Sequence, residues 1–552
     1  MKGTRKWLRN GTPFIWLNAA AVSLSILMVA GLLLLIGWKG LSHFWPHALY
    51  EFDYVEADGS RTVIVGQVRR SEQVQYADPE AGEEAPSEPS RGFTRILIET
   101  GNRDLAGGDF RWIRADGVRS RATPADLVVV ERQEWGNFFG RFVAVDRAGE
   151  RLAGDAGWTA FLEAIERSRQ LQDEIAELQR KVVGRINYQL EKNRLAQRRL
   201  VLDGGHDPDR ARELEIERAA LEREYWASEE LLVDLAGQAR RDRVVLETAD
   251  GERIELGLDA VVDTWRPNTL SAIGKLGHFF SKIGYFLSAE PREANTQGGI
   301  FPAIFGTVVM VLLMAVVVAP FGVVAAVYLS EYARQNAVTR IIRITVSNLA
   351  GVPSIVYGVF GLGVFVYTIG GGIDHLFFEA ALPAPTFGTG GLFWASLTLA
   401  LLTLPVVIVS TEEGLARIPR SMREGSLALG ATRWETLWRT IIPMASPGII
   451  TGLILAVARA AGEVAPLMLV GVVKLAPSLP IDGNFPYLHL ERKFMHLGFH
   501  IYDVGLQSPN VEAAKPLAFA TALLLITVVL LLNLVAINVR NSLQKKFIGL
   551  DT

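Results

Sequence analysis

The chain's 552 residues carry 56 Lys+Arg against 59 Asp+Glu, a formal charge of −3. This near-balance argues against a nucleic-acid-binding surface and against an acidic interaction tail. With no cysteine at all, disulfides, thiolate metal sites and thiol nucleophiles are excluded, while the compartment stays open, because a protein outside the cytoplasm can simply lack disulfides.

Charges crowd between about residue 50 and residue 270, whereas residues 300–470 hold long apolar runs. That split predicts a soluble module joined to a membrane-embedded one. A bilayer core about 30 Å thick takes roughly 20 apolar helical residues to cross. Residues 16–38 form the first such stretch, with VSLSILMVAGLLLLIG at its centre and Trp38, Lys39 and Trp45 as an interfacial belt. The basic start (Lys2, Arg5, Lys6, Arg9) also suits a signal peptide. The apolar run is too long for one and no small-residue cleavage site follows, so a retained anchor is expected.

Residues 46–270 read as a separate α+β module. Short strands are predicted at 62–68, 93–99, 126–131 and 138–145, where β-branched and aromatic residues concentrate. The stretch 78–91, rich in Pro, Glu and Ser, reads as a flexible loop. From Trp158 the pattern turns helical, with Leu171, Ile175, Leu178, Val182 and Ile186 on one stripe. The turn 203–209 stops it. A second helix runs from about Pro208 to Ala239, with Leu214, Leu221, Tyr225, Leu232 and Leu235 on a face. Two long amphipathic helices with a short turn between them predict an antiparallel coiled-coil hairpin over about 158–240. ETADGERIEL (247–256) reads as a β-hairpin around Asp250–Gly251. The module shows no catalytic motif; its carboxylates stand beside Arg and Lys as on a solvated coiled-coil face.

Residues 271–299 form a connecting segment. In it, Ile273, Leu276, Phe280, Ile283 and Leu287 share one helical face, which suits either a helix lying on the membrane surface or one buried against the module. Five further apolar stretches follow at about 301–329 (interrupted at Pro320), 344–369, 391–410, 444–470 and 516–539. Internal Pro and Gly are tolerable there, since neighbouring helices can satisfy freed backbone groups. Basic residues occupy the N-terminus, the 330–343 and 411–443 links and the C-terminus (Arg540, Lys545, Lys546). With six alternating spans all four fall on one side, which predicts cytoplasmic termini and places residues 39–299 outside.

The link 411–443 reads TEEGLARIPRSMREGSLALGATRWETLWRTIIP. Ser421 with Glu424 and Thr432 with Glu435 each fit a capping box, separated by Gly430. Two short helices bent at that glycine are expected. Trp434, Leu437, Trp438 and Ile441 then make an i, i+3, i+4, i+7 stripe, an anchor for a protein partner. The run Glu424-Gly425-Ser426, then Gly430, then Thr440-Ile441-Ile442-Pro443 resembles the EAA loop of ABC-importer permeases. Gly425 and Ser426 stand where that family has two alanines, and Thr440 where it has Ile. The resemblance implies that Glu424, Gly430, Trp434, Leu437, Trp438 and Pro443 dock a cytoplasmic ATPase.

AGVPSIVYGVFGLG (350–363) and LILAVARAAGEVAPLML (453–469) resemble the phosphate-specific permeases of PstA type, as do GGIFPAIFGT (298–307) and residues 497–519. The likeness covers 270–545 well, 1–45 weakly and 50–265 not at all. Such chains are usually about half this length, so the module reads as an extracytoplasmic insertion. Arg459 and Glu463 are charged residues inside an otherwise apolar span, at i, i+4. Charges in a membrane face protein or an aqueous cavity, and an Arg fork suits phosphate. The alternative is a static ion pair between helices. Ser354 offers a hydroxyl donor to the path, or a helix-packing contact. His489, His496 and His500 cluster in one loop, but no metal-binding motif accompanies them and no metal is assigned.

The expectation is thus an all-α polytopic membrane protein of ABC-importer permease type with six transmembrane helices, in a bacterial inner membrane, plus the α+β insertion. The segments are 1–45 (N-terminus and first span), 46–270, 271–299 and the permease core 300–545. No ATP-binding G-x-x-x-x-G-K-[ST] loop is present, so the chain is expected to be a transport subunit rather than an enzyme. It would hold no cofactor itself; ATP and Mg would be bound by a PstB-like ATPase dimer. The other implied partners are a PstC-like permease, a PstS-like phosphate-binding protein, phosphate and membrane lipid, with no nucleic acid. Two other functions stay open: a permease for molybdate or sulfate, and a membrane-anchored sensor or scaffold acting through the coiled coil.

Overall fold

The computed structural model describes residues 12–74, 92–204, 207–508 and 511–548. The expected N-terminal basic residues, the 78–91 loop and Gly205–His206 of the hairpin turn lie outside them. Among the described residues, six helices are long and apolar enough to cross a membrane: Phe14–Ser42, Phe301–Tyr332, Ser354–Phe377, Leu392–Ala416, Arg433–Gly462 and Ala514–Ser542, here spans one to six. Span two runs through Pro320 unbroken, against the expected interruption; the missing N–H is tolerated among packed helices. Its 32 residues reach about 48 Å.

Span three departs from its expected start at 344. Residues 337–349 form a separate helix, the chain turns at 350–353, and Ser354 opens the span. Glycines let helices approach closely: Gly322 meets Val407 of span four, and Gly448 and Gly414 of spans five and four face each other. Met310, Met314, Val318, Leu399, Val407, Ala456 and Ala460 fill the shared core. Span one touches the bundle mainly through span six, where Gly40 packs against the Phe519 carbonyl.

The module is built on two antiparallel sheets, so the chain is not all-α outside the bilayer. The strands are β1 (Tyr50–Val55), β2 (Arg61–Val74), β3 (Phe93–Glu99), β4 (Phe110–Arg114), β5 (Val118–Ala122), β6 (Leu127–Arg132), β7 (Asn137–Arg147), β8 (Glu150–Ala153), β9 (Arg243–Glu247), β10 (Arg253–Gly257) and β11 (Val261–Trp265). One sheet has the order β4-β3-β2-β1-β5. The other has β10-β9-β7-β6-β11, with β8 beside β7. Leu49, Val65, Leu127, Val129 and Phe139 form a core that draws on both sheets. The expected hairpin turn is present, with Gly251 at φ +81°.

Residues 154–202 form one long helix with a widened turn at 179–183, and Pro208–Arg240 forms the second. They run antiparallel: Asn193 donates to the Leu214 carbonyl at 3.0 Å and Arg185 pairs with Glu224 at 2.5 Å. Phe161 and Ile165, at the base, pack into the second sheet's core with Val128, Phe138 and Val244. Farther along, Tyr188 donates to the Phe485 carbonyl at 2.5 Å, so the hairpin leans on the loop between spans five and six. Ala272–Ser288 sets Lys282 against Glu131 of β6 on one side. On the other, Ile273, Leu276, Phe280 and Leu287 are exposed.

A Cβ on Gly306 of span two would collide with the Met495 carbonyl, whereas one on Gly363 of span three meets nothing within 4 Å. Gly306→Leu should lower the stability of the detergent-purified protein by roughly 1–3 kcal/mol, seen as a lower melting temperature. Gly363→Leu should melt like the parent.

Candidate functional site

Two breaks interrupt the helices of spans three and five. The first is the turn at 350–353. The Tyr357 hydroxyl donates to the Leu349 carbonyl at 2.7 Å, satisfying one group that the turn frees. The second ends span five at Gly462; Glu463 is already extended (φ −78°, ψ 134°), and a short helix resumes at Leu467–Val470. The expected single stretch 444–470 is therefore discontinuous, and Arg459 and Glu463 do not share one helix. Pro466, in the break, lacks the N–H a continuing helix needs. A Cβ on Gly358 would lie 2.7 Å from the Pro466 Cα, so the second break packs on span three just past its first turn.

Their depth follows from neighbours in span four. Gly361 packs on Thr398, and Ser354 lies about 10 Å further along its helix axis. Gly452 packs on Ser410 and Val407, which puts Arg459, two turns on, level with the middle third of span four. Arg459 Nε stands 3.5 Å from Glu463 Oε1, with a third of the arginine side chain exposed. No other hydrogen-bond or ion-pair partner of this guanidinium is present among the described residues. Its remaining N–H donors are spare. Ser354 is half-buried at the first turn of its helix, where leading N–H groups lack an intrahelical acceptor, although that of Val356 donates to the Pro353 carbonyl at 3.0 Å.

At the other end of the bundle lies the link between spans four and five. Arg423 pairs with Glu331 at the end of span two (2.9 Å) and donates to the carbonyls of Leu415 and Ile418. The first helix is Arg420–Ala428, and the expected Ser421–Glu424 box is absent. Pro419 takes the N-cap position, so Ser421 falls inside the first turn and Glu424 stays exposed. Gly430 turns the chain at φ +90°, which suits glycine. The Thr432–Glu435 box forms in both directions. Against expectation, the second helix is not short: it continues as span five from Arg433 to Gly462. The ladder widens at 437–441, just before Pro443, where a wide turn absorbs the proline's lost hydrogen bond.

The tryptophan stripe divides. Leu437 and Ile441 are buried with Leu415, Ile418, Val327 and Ala445. Trp434 and Trp438 are 62% and 61% exposed, their rings stacked 5.8 Å apart. Leu429 beside them is 91% exposed. Ser426 and Thr436 share a 2.9 Å hydrogen bond that ties the two loop helices together. Sequence reading missed the Glu331–Arg423 and Arg343–Glu412 pairs, which join distant segments and leave no local pattern.

The three histidines take separate partners. His489 lies 2.9 Å from Asp482 and 3.2 Å from Glu491. His496 accepts from the Gly498 N–H at 3.1 Å, and His500 meets Thr521 at 3.3 Å. Among the described residues no group of three His, Cys, Asp or Glu is placed to hold a metal ion.

Residues 318–548 match the family model of the binding-protein-dependent transport system inner membrane component. The phosphate transport system permease protein PstA 1 of Mycobacterium tuberculosis (strain CDC 1551 / Oshkosh) is 35% identical over 246 residues, 44% of this chain and 71% of that protein. Its counterpart PstA of Yersinia pestis is 33% identical over 254 residues, 46% of this chain and 76% of that protein. An inward-facing MetNI methionine ABC transporter overlays 44% of this chain and 94% of its own at 17% identity and a TM-score of 0.32. The sequence matches and the six apolar helices define a multi-pass inner-membrane permease, a transport subunit. Within that class the chain belongs to the PstA-type phosphate transport system permeases.

Burial drives His496 down to about 3 and His500 to about 4, so both are neutral at pH 7. In the unfolded chain each titrates near 6.5, and below that pH the unfolded state binds the extra proton. The stability is full above about pH 6.5 and is lost as pH falls toward 4. Between pH 6.5 and 5 each histidine should cost about 1.5 kcal/mol. Melting temperatures across that range should fall, and His500→Phe should flatten the fall by about half.

Proposed function

We propose that the chain is the permease subunit of an ATP-driven inorganic phosphate importer and forms half of the translocation path. A PstC-like permease supplies the other half, a PstB-like ATPase dimer the power, and a PstS-like binding protein the substrate. The observation that carries the reading is Arg459: a guanidinium with spare donors where two broken helices meet, inside residues 318–548, which match the binding-protein-dependent permease family model. A planar fork gives phosphate two parallel charge-assisted hydrogen bonds. The N-terminal turn at Ser354 adds the positive end of a helix dipole. Glu463 holds the arginine while the site is empty and yields to the anion.

Drawing an anion inward against a negative interior costs about 2.3 kcal/mol per charge per 100 mV, so a motor is required. The exposed Trp434–Trp438 pair, Leu429 and Glu424 form its docking face. Both termini are cytoplasmic, and residues 39–299 are extracytoplasmic. The 46–270 module is an insertion between spans one and two whose hairpin serves as a coiled-coil arm over the outer loops.

The test is ATP-driven uptake of labelled phosphate by the reconstituted complex, with molybdate and sulfate as competitors. Arg459→Gln should lower uptake at least tenfold, the ratio worth about 1.4 kcal/mol, and leave ATPase co-purification intact. The Trp434→Ala/Trp438→Ala variant should lose the co-purifying ATPase. Full-rate uptake by Arg459→Gln, or equal competition by the other oxyanions, contradicts the proposal.

A further inference from the structure

A cavity of about 1130 Å³ lies where the module meets the bundle. It stands at the membrane edge, since Lys39 and Ser42 close span one and Pro516–Phe519 open span six. Its lining is two-sided. Phe44, Trp45, Phe286, Leu517 and Phe519 come from the membrane side and the adjoining helix, whereas Arg69, Arg70 and Arg103 come from the module.

Basic lining residues outnumber acidic ones, seven Lys and Arg against five Asp and Glu. Several are neutralised in place: Arg69 by Glu99, and Lys282 by Glu131 and Asp263. Arg70 has no hydrogen bond or ion pair among the described residues. The Lys39 ammonium meets the Phe519 ring at 5.0 Å. Three lining residues also carry buried polar atoms without partners: the Trp265 Nε1 and Arg292 Nε donors and the Gln297 Oε1 acceptor. These atoms are themselves closed to solvent and present nothing to a bound ligand; the exposed guanidinium on the lining without a partner among the described residues is that of Arg70. His43 and His47 face the same space. Burial first, then the nearby Arg69 charge, holds His43 down at about 4 and lowers His47 as well. An anion bound beside Arg69 would relieve that field.

We propose that this cavity binds a phosphate-bearing anion at the outer membrane edge, seated against Arg70. The same chemistry is offered by a phospholipid headgroup and by free phosphate. The apolar wall suits the headgroup, whose acyl chains would leave past Trp45 and Phe519 into the bilayer. The site does not depend on which anion crosses the spans.

The experiment uses the purified full chain, stripped of lipid, with three probes: phosphatidylglycerol, diacylglycerol with the same acyl chains, and inorganic phosphate. Native mass spectrometry reads lipid retention and the melting temperature reads phosphate. Arg70→Gln loses no side-chain hydrogen bond or ion pair among the described residues, so it should fold as the parent does, checked by circular dichroism; Arg61→Gln, outside the cavity, is the control. Retention of phosphatidylglycerol over diacylglycerol, reduced at least fivefold by Arg70→Gln alone, assigns the headgroup. Stabilisation by inorganic phosphate, lost in the same variant, assigns the free anion. Equal retention of both lipids with no phosphate response, or binding untouched by Arg70→Gln, overturns the proposal.

Discussion

Inside a bilayer a backbone polar group has no water to turn to, so every N–H and C=O must find its partner in the protein. That constraint makes the spans continuous helices wherever they face lipid. It also makes the two exceptions informative. Residues 350–353 and 463–466 leave the helical ladder, and the second packs on Gly358 of span three, beyond the first. Groups freed there are partly rescued, by the Tyr357 hydroxyl on Leu349 and by the Leu467 N–H on Val464. What is left over is a small polar patch in an apolar bundle, and Arg459 stands in it.

The same spine joins that patch to the far end of the molecule. From Trp434 to Arg459 the chain is one helix, about 38 Å long by its rise per residue. Leu437 and Ile441 root it against Leu415 and Ile418, and Arg423 and Glu331 lock the neighbouring loop to span two. In the proposed mechanism, a push on the exposed tryptophans is carried to Arg459 along this one helix. The widened turn at 437–441 is the soft point, and it lies at the docking end.

The spans were legible because about 20 apolar residues in a row have few other uses. Their ends were less so: residues 337–349 continue the apolar stretch but form a separate helix, and only the turn at Gly351–Pro353 divides them. The capping boxes show how local rules compete. Thr432 caps as its pattern demands, whereas Pro419 starts its helix early and strips Ser421 of that role. In the module, strands rich in Val, Ile and Phe were readable. β4 (FRWIR) and β5 (VRSRA) were not, because their arginines lie over aromatic rings elsewhere in the sheet: Arg114 over Phe93, and Arg121 over Tyr50 at 3.6 Å. Arg459 and Ser354 were found as residue types, but the break that frees the arginine's donors has no signature beyond Pro466.

The central claim is that the 420–443 segment and the module lie on opposite sides of the membrane. The chain has no cysteine of its own, so single cysteines can report sidedness cleanly. Leu429→Cys and Ile216→Cys both replace exposed residues, 91% and 63% accessible. In intact cells a membrane-impermeant maleimide should label the cysteine at 216 and spare the one at 429 until the membrane is opened. Labelling at 429 from outside, or protection of 216, would contradict the account.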